Sequence, residues 1–598
     1  MILQALVHLY DALSAEGKIA RDGWCPGKVA YYLEIDDDGH LLNAVSAMEE
    51  KQRGKKTVLL PKVLTIPQQV KRSVQVAPNF LCDTSSYILG MDDKGKPDRT
   101  KQCFEAARML HHTVLDHCTA PAAKAVLRFF DTWKPEQAGQ YPFIAAYKED
   151  ILSAGMMIFQ YHGQNVQDDQ DVRAAWQAYW DKKAEDDTIP REQCLVTGEE
   201  APVTILHPVI KGVRGAQSSG ASLVSFNAPS FESYGNDKSQ GLNAPVSRHA
   251  AFAYGTALNH LLADQDHVQF LGDTTVVYWA ESGEAAPQDM FGFMVDGQTE
   301  KIHDADLQSI LQKMVQGEPC DLSQIRIDPN EPFYILGLAP NAARVSVRFF
   351  LRNTFGKIMD HLLEHQNRMK IIGRRDQSNM LIPMWLLLKQ TVSPHTKDAA
   401  SSPLLAGELM RSILTGSAYP EAMFQNIMLR IFADQDEYNE NGTRTFDKTG
   451  QVRAAFIKAY LLRNHTTRWE SEIKMTVNDH CKEISYVLGR LFSVLENVQQ
   501  VANPGINATI KNRYFNSACA TPASIFPILL KLANAHLNKL EIGQQIYYSK
   551  KIGQLLADIT MPNEGTPLPN RLNLEEQGAF VLGYYQETQD RYTKKEEA

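Results

Sequence analysis

RVSVRFFLRNTFGKIMDHLLEHQNRMK, residues 344–370, contains the change of texture on which the fold turns. Its opening run sets Val345, Val347 and Phe349 against Arg344, Ser346, Arg348 and Phe350, a period of two that predicts a strand with one apolar face and two arginines on the other. Beyond residue 355 the pattern becomes KIMDHLLEHQNRMK, the spacing of an amphipathic helix. Upstream, other β-prone runs bounded by Gly, Pro and Asp alternate with helical stretches: VAYYLEI, KTVLLPKVLTIP, SYILG, TTVVYWA and FYILGLA. Between them, QDDQDVRAAWQAYWDKKAEDD reads as a solvated acidic helix. Downstream, amphipathic segments dominate, and the longest places Ile484, Val487, Leu488, Leu491, Leu495 and Val498 on one stripe. The expected fold class is α+β. A large mixed N-terminal region of short β-sheets and helices, residues 1–355, is followed by a helical connecting region, 356–474, and an all-α helical bundle, 475–598.

At 598 residues the chain exceeds the size at which one hydrophobic core stops growing, so several domains are expected. Its 44% hydrophobic and 22% charged residues are ordinary for a globular protein. A formal charge of -9 argues against coating nucleic acid through bulk charge, and any polyanion would have to meet local basic strips. The eight cysteines form no Cys-x-x-Cys pair, which supports neither a zinc ribbon nor a disulfide scaffold and points to a reducing compartment. The longest apolar run, IPMWLLLK, falls far short of the roughly 20 residues of a membrane span. MILQALVHLYDALSAEG has a helical apolar face but no basic leader or cleavage site, so the expected location is cytoplasmic, without a membrane partner.

The strongest functional signal is residues 207–248, HPVIKGVRGAQSSGASLVSFNAPSFESYGNDKSQGLNAPVSR. From His207 to Phe231 its only charges are Lys211 and Arg214, and no acid occurs before Glu232. Glycines permit close backbone approach, while Gln217, Ser218, Ser219 and Asn227 offer amides and hydroxyls, the equipment for positioning phosphates and reading a few base edges. The bland alternative is an ordered surface loop with locally capped turns. Its length, with interleaved Phe, Val and Leu, favours function over disorder. Two more basic islands flank it: Lys51, Arg53, Lys55, Lys56, Lys62, Lys71 and Arg72 without an acid, and eight cations between residues 341 and 375 against Asp360 and Glu364. Each alone reads as a solvated face; together they favour contact with a nucleic-acid backbone.

Catalytic signatures are missing: no phosphate-binding loop, nucleophile elbow, His-Glu-x-x-His or deaminase-type cysteine pair occurs. No catalytic residue, metal or cofactor is therefore expected. Three alternatives remain. HHTVLDH, with His111, His112, Asp116 and His117, has the residue types for a metal-dependent nuclease, although histidines lining an amphipathic helix explain it as well. Cys194 with His207 has the types for nucleophilic catalysis but lacks an orienting third group. A protein-interaction scaffold whose basic islands face other subunits is the remaining alternative.

MILQALVHLYDAL, KRSVQVAPNFLCDTSSYILG, CLVTGEEAPVTILHPVIKGVRGAQSSGASLVSFNAPSFESYG and PNAARVSVRFF, in this order over essentially the whole chain, resemble the large subunit of the type I-C CRISPR surveillance complex (Cascade). The resemblance implies a non-catalytic subunit that reads the protospacer-adjacent motif in double-stranded target DNA, helps unwind it, holds the displaced single strand and recruits a helicase-nuclease in trans. Pairing with guide RNA would read the target, as in RNA-guided recognition generally. Implied partners are the guide RNA, the guide-end subunit, the backbone subunit and the small subunit. On this reading Lys211, Arg214, Gln217, Ser218, Ser219 and Asn227 form the motif-reading loop, and Arg72 and Asn79 are further DNA contacts. Arg344, Arg348 and Arg352 line the displaced strand, where Phe349 or Phe350 stacks a base unless both are buried. The resemblance also implies that an internal start, for which Met475 is placed, produces the C-terminal bundle separately as the small subunit.

Overall fold

Val29, Tyr31, Leu33 and Ile35 alternate along strand Trp24–Ile35 and are all buried, which makes this strand the centre of the first sheet. The protein is seen here as a computed structural model describing all residues except 54–55, 71, 73–74, 93–95, 147, 153–154, 185–189, 227, 233–239, 298–308, 310–326, 374–380, 397–400, 441–443, 507, 561–567 and 594–598. The chain forms two units: Met1–Val209 with Ser222–His260, and Ile210–Ala221 with Leu261–Ala598.

In the first unit the sheet runs in the order Met48–Arg53, Lys56–Pro67, Trp24–Ile35, Met156–Tyr161, Cys82–Asp83. Trp24–Ile35 pairs antiparallel with Lys56–Pro67 and parallel with Met156–Tyr161. Helices Pro97–Leu115, Pro121–Thr132 and Gln170–Ala184 contribute to one aromatic core containing Phe80, Phe104, Phe129, Phe130, Phe159 and Trp176. Two local expectations change. The acidic helix Gln170–Ala184 is not wholly solvated, because it buries Val172 and stacks Trp176 on Phe80 at 4.9 Å. SYILG is not a strand: Ser85–Ile88 is a helical turn, since four residues of mixed apolar character fix no period and burial of Tyr87 and Ile88 decides.

The second unit carries a six-stranded sheet in the order Val209–Ile210, Ala221–Ser222, Arg344–Thr354, Pro332–Asn341, Thr274–Ala280, Val268–Leu271. The long strands pair antiparallel, and Phe333–Ala339 is buried residue by residue, as in a strand covered on both faces. Phe333, Ile335 and Phe349 join a continuous core with Phe355, Ile358 and the helices that follow. The texture change at residue 355 therefore falls inside this unit. Helices dominate from Phe355–Met369 onward, as expected, apart from a short hairpin pairing Glu437–Tyr438 with Arg444–Phe446. Helices Ile484–Ala502 and Leu574–Thr593 cross closely enough that a Cβ on Gly489 would strike the Phe580 carbonyl, and one on Gly583 the Tyr486 carbonyl. Buried Lys511 is satisfied by Asp436 (2.8 Å), Asp447 (3.0 Å) and Thr449 (3.1 Å), which offsets its desolvation.

Candidate nucleic-acid interface

The glycine-rich loop is anchored in the sheet at both ends, through strands Val209–Ile210 and Ala221–Ser222. Between these anchors it is pinned. Val213 is buried, and the Arg214 N–H donates to Thr275 Oγ1 at 3.0 Å. The Ala216 N–H donates to the Val213 carbonyl and the Gly220 N–H to the Gln217 carbonyl, closing two consecutive turns. Gly212 has φ +93°, and a Cβ there would lie 3.2 Å from the Cβ and the carbonyl oxygen of Leu262. Gly215, at φ +78°, sits against Pro340. These are positions that only glycine occupies without strain. The consequence is a rigid loop whose Lys211, Arg214, Gln217, Ser218 and Ser219 are all exposed. Asn227 and Tyr234 lie outside the described residues.

The arginine strand has a register fault. Its pairing runs from Asn341 with Arg344 to Leu338 with Val347, then resumes at Gly337 with Phe349, leaving Arg348 as an extra residue. Such a bulge switches the phase of alternation. Val345 and Val347 therefore share a face with Phe350 and Arg352, whereas Phe349 points to the opposite side, into the helical core. The uninterrupted alternation expected to carry Arg344 and Arg348 on one polar face is broken, and Arg344 and Arg352 face opposite sides of the sheet. Arg348 instead pairs with Asp273 at 3.2 Å, and Arg344 is half-buried. Arg352 is exposed over the Tyr334 ring (5.7 Å), which stacks on Phe350 at 6.0 Å with 13° between planes. Of the two phenylalanines, Phe349 is buried and Phe350 partly so.

Register also tells which face holds the loop. Phe270 lies opposite Thr275, Thr275 opposite Leu338, Leu338 opposite Val347, and Tyr334 opposite Arg352. Directly opposed residues lie on one side of a sheet. Thr275, which anchors the loop, thus faces the same way as Phe270 and Arg352. The Arg214 guanidinium lies 5.4 Å above the Phe270 ring. The sheet therefore presents Arg214, the polar loop tip and Arg352 on one surface with rings beneath both guanidiniums, an arrangement suited to phosphates and unstacked bases.

The remaining predicted residues are placed elsewhere. Arg72 donates from Nη1 to Asp83 Oδ1 at 2.8 Å, makes a second contact to Oδ2, and lies over the Tyr87 ring. Burial pushes the Asp83 carboxyl up, and Arg72 opposes that shift. Asn79 is buried, its side chain accepting the Val70 N–H at 2.9 Å. Both residues thus serve the local fold of the first unit. Lys62 pairs with Glu49 at 3.4 Å; Lys55, Lys71, Arg374 and Arg375 lie outside the described residues.

HHTVLDH does not converge on one site. His111 is fully buried: its Nε2 accepts the Leu81 N–H at 3.0 Å, at a residue with φ +54°, and its Nδ1 meets the Ala107 carbonyl at 2.7 Å. Burial pulls it down to about 4. His112, only partly buried, pairs with Asp116 (2.7 Å) and Asp131 (3.1 Å). Among the described residues no group of three His, Cys, Asp or Glu is arranged to hold a metal. Cys194 and His207 are also engaged separately. Burial raises the Cys194 thiol, but the N–H groups of Ser247 and Val196 and the side chain of Thr197 bring it down to about 7. His207 turns its Nδ1 to the Tyr254 hydroxyl at 2.8 Å.

Sequence reasoning missed Phe270 and Trp385, which are large and exposed; Phe270 stands on the sheet edge opposite the strands that anchor the loop, where the loop's Arg214 reaches its ring, and Trp385 lines a groove with it. They stand in QFLG and IPMWLLLK, runs whose composition signals core. No individual curated protein matches the chain. The family model described as CRISPR-associated protein (Cas_Csd1) matches residues 6–592, nearly the full length, and the chain belongs to that family.

Proposed function

We propose that this protein is the non-catalytic large subunit of a type I-C Cascade, the RNA-guided complex that surveys double-stranded DNA. Lys211, Arg214, Gln217, Ser218 and Ser219 contact the duplex at the protospacer-adjacent motif, and Arg352, on the same sheet face as the loop's anchor, guides the displaced single strand. The observation that carries the reading is a rigid, exposed cationic loop and an arginine-bearing strand on one sheet, in a chain of a CRISPR-associated family. Glycine-enforced rigidity matters because ordering a floppy loop on binding would cost affinity. Pairing with the guide would supply sequence reading, so the protein needs only a short motif and a backbone grip.

The partners on this reading are guide RNA, the guide-end subunit, the backbone subunit, the small subunit and a helicase-nuclease recruited in trans. The helices after Met475 are the part that the small subunit would share. The test is purification of the complex, followed by binding to duplexes with and without the motif. Co-purifying guide-length RNA, and weaker binding of motif-bearing duplex by Arg214→Ala or Lys211→Ala, are expected. Normal assembly with unchanged binding by both variants would remove the DNA contact and leave a scaffold.

A further inference from the structure

Beside the loop, a groove of about 310 Å³ runs along the edge strand Val268–Leu271. The residues lining it include two exposed aromatics, Phe270 (43% exposed) and Trp385 (48% exposed). Val295 and Met384 add apolar wall, and Gln265, Gln269 and Asp296 are its polar residues. Phe270 is the ring beneath the Arg214 guanidinium, so the groove is continuous with the cationic loop.

We propose that this groove receives an unstacked nucleobase of a single strand. The inference rests on the nucleic-acid reading above and adds a site to it. An aromatic lining stacks any base. The Asp296 carboxylate repels phosphate. That combination fixes the orientation: base inward, with the flanking phosphate outward on Arg214. An extended peptide added to the edge strand is the competing occupant, but it gives no role to the guanidinium beside the groove.

Trp385 provides a direct readout. The chain has seven tryptophans, all among the described residues, and Trp385 alone is largely exposed. Full-length protein, alone and in the assembled complex, is titrated with a short oligothymidine, an abasic oligomer with the same number of phosphates, and a basic unstructured peptide. Oligothymidine is expected to quench the exposed tryptophan component, and Trp385→Phe removes that quench. Trp385→Ala weakens oligothymidine binding about 10-fold, within the range of one stacked base, and leaves abasic binding unchanged. Oligothymidine bound without quenching overturns the groove assignment while the wider reading stands. Quenching by the peptide alone gives the groove to a protein partner and overturns it too. Failure to bind any strand, alone or in the complex, overturns both readings.

Discussion

Gly212→Ala separates the shape of the loop from its charge. The substitution removes no cation, yet places a Cβ at φ +93° and 3.2 Å from both the Cβ and carbonyl oxygen of Leu262. Holding an L-residue in that conformation costs on the order of 1–3 kcal/mol. Leu262 is buried and cannot retreat cheaply. The loop is therefore expected to relax by leaving its place on Thr275 and Pro340. If that strain is released by depopulating the observed loop, apparent affinity for motif-bearing duplex falls by about 5- to 150-fold, the same free energy expressed as a competent fraction. The assay is fluorescence anisotropy of labelled duplex with the assembled complex at fixed salt, beside thermal unfolding of the isolated chain. Gly163→Ala is the control, because Gly163 has φ +75° in the first unit with nothing within 4 Å of its added Cβ. It should lower thermal stability by a comparable backbone penalty and leave DNA binding intact. Wild-type affinity in Gly212→Ala, or equal affinity losses in both variants, would refute the argument that a preorganised loop grips DNA.

The buried histidines set opposing pH limits. His111 is held near 4 by burial, against about 6.5 when unfolded, so between those values the unfolded chain takes up a proton that the native state refuses, and stability falls with acidification by up to about 3 kcal/mol. His207, at about 4, acts in the same direction. His267 works oppositely. Burial lowers it, but Asp264 and Asp289 on its two nitrogens raise it to about 9, so its contribution is complete below pH 6.5 and lost as pH rises through 9. Thermal midpoints measured from pH 4 to 9 should fall at both ends, with His267→Gln flattening the alkaline limb; a curve unaltered by that change contradicts the assignment. In the helical core, Gly489→Ala should cost about 3 kcal/mol through overpacking against the Phe580 carbonyl, and denaturant unfolding with an unchanged midpoint would contradict the crossing.

What the sequence made legible follows from local physics. The strands around Val29–Ile35, Thr274–Ala280 and 344–354, and the helices after residue 355, announced themselves through period and length. The loop at residues 210–221 was legible because glycine, charge and hydroxyl content are local properties. Arg348 was read onto the wrong arrangement because a bulge depends on the partner strand, and nothing in RVSVRFF marks the extra residue. His111 and Arg72 carried chemistry-bearing side chains that tertiary packing absorbed: one receives the Leu81 N–H and the other holds Asp83. Phe270 and Trp385 escaped because an exposed aromatic and a buried one look alike in a sequence.

The most direct measurement is the salt dependence of duplex binding by the assembled complex, wild type against Arg214→Ala. If Arg214 neutralises one phosphate, the slope of log affinity against log salt becomes shallower by about 0.9, and binding weakens on motif-bearing duplex. An identical slope and affinity in the two proteins would show that the loop faces something other than DNA.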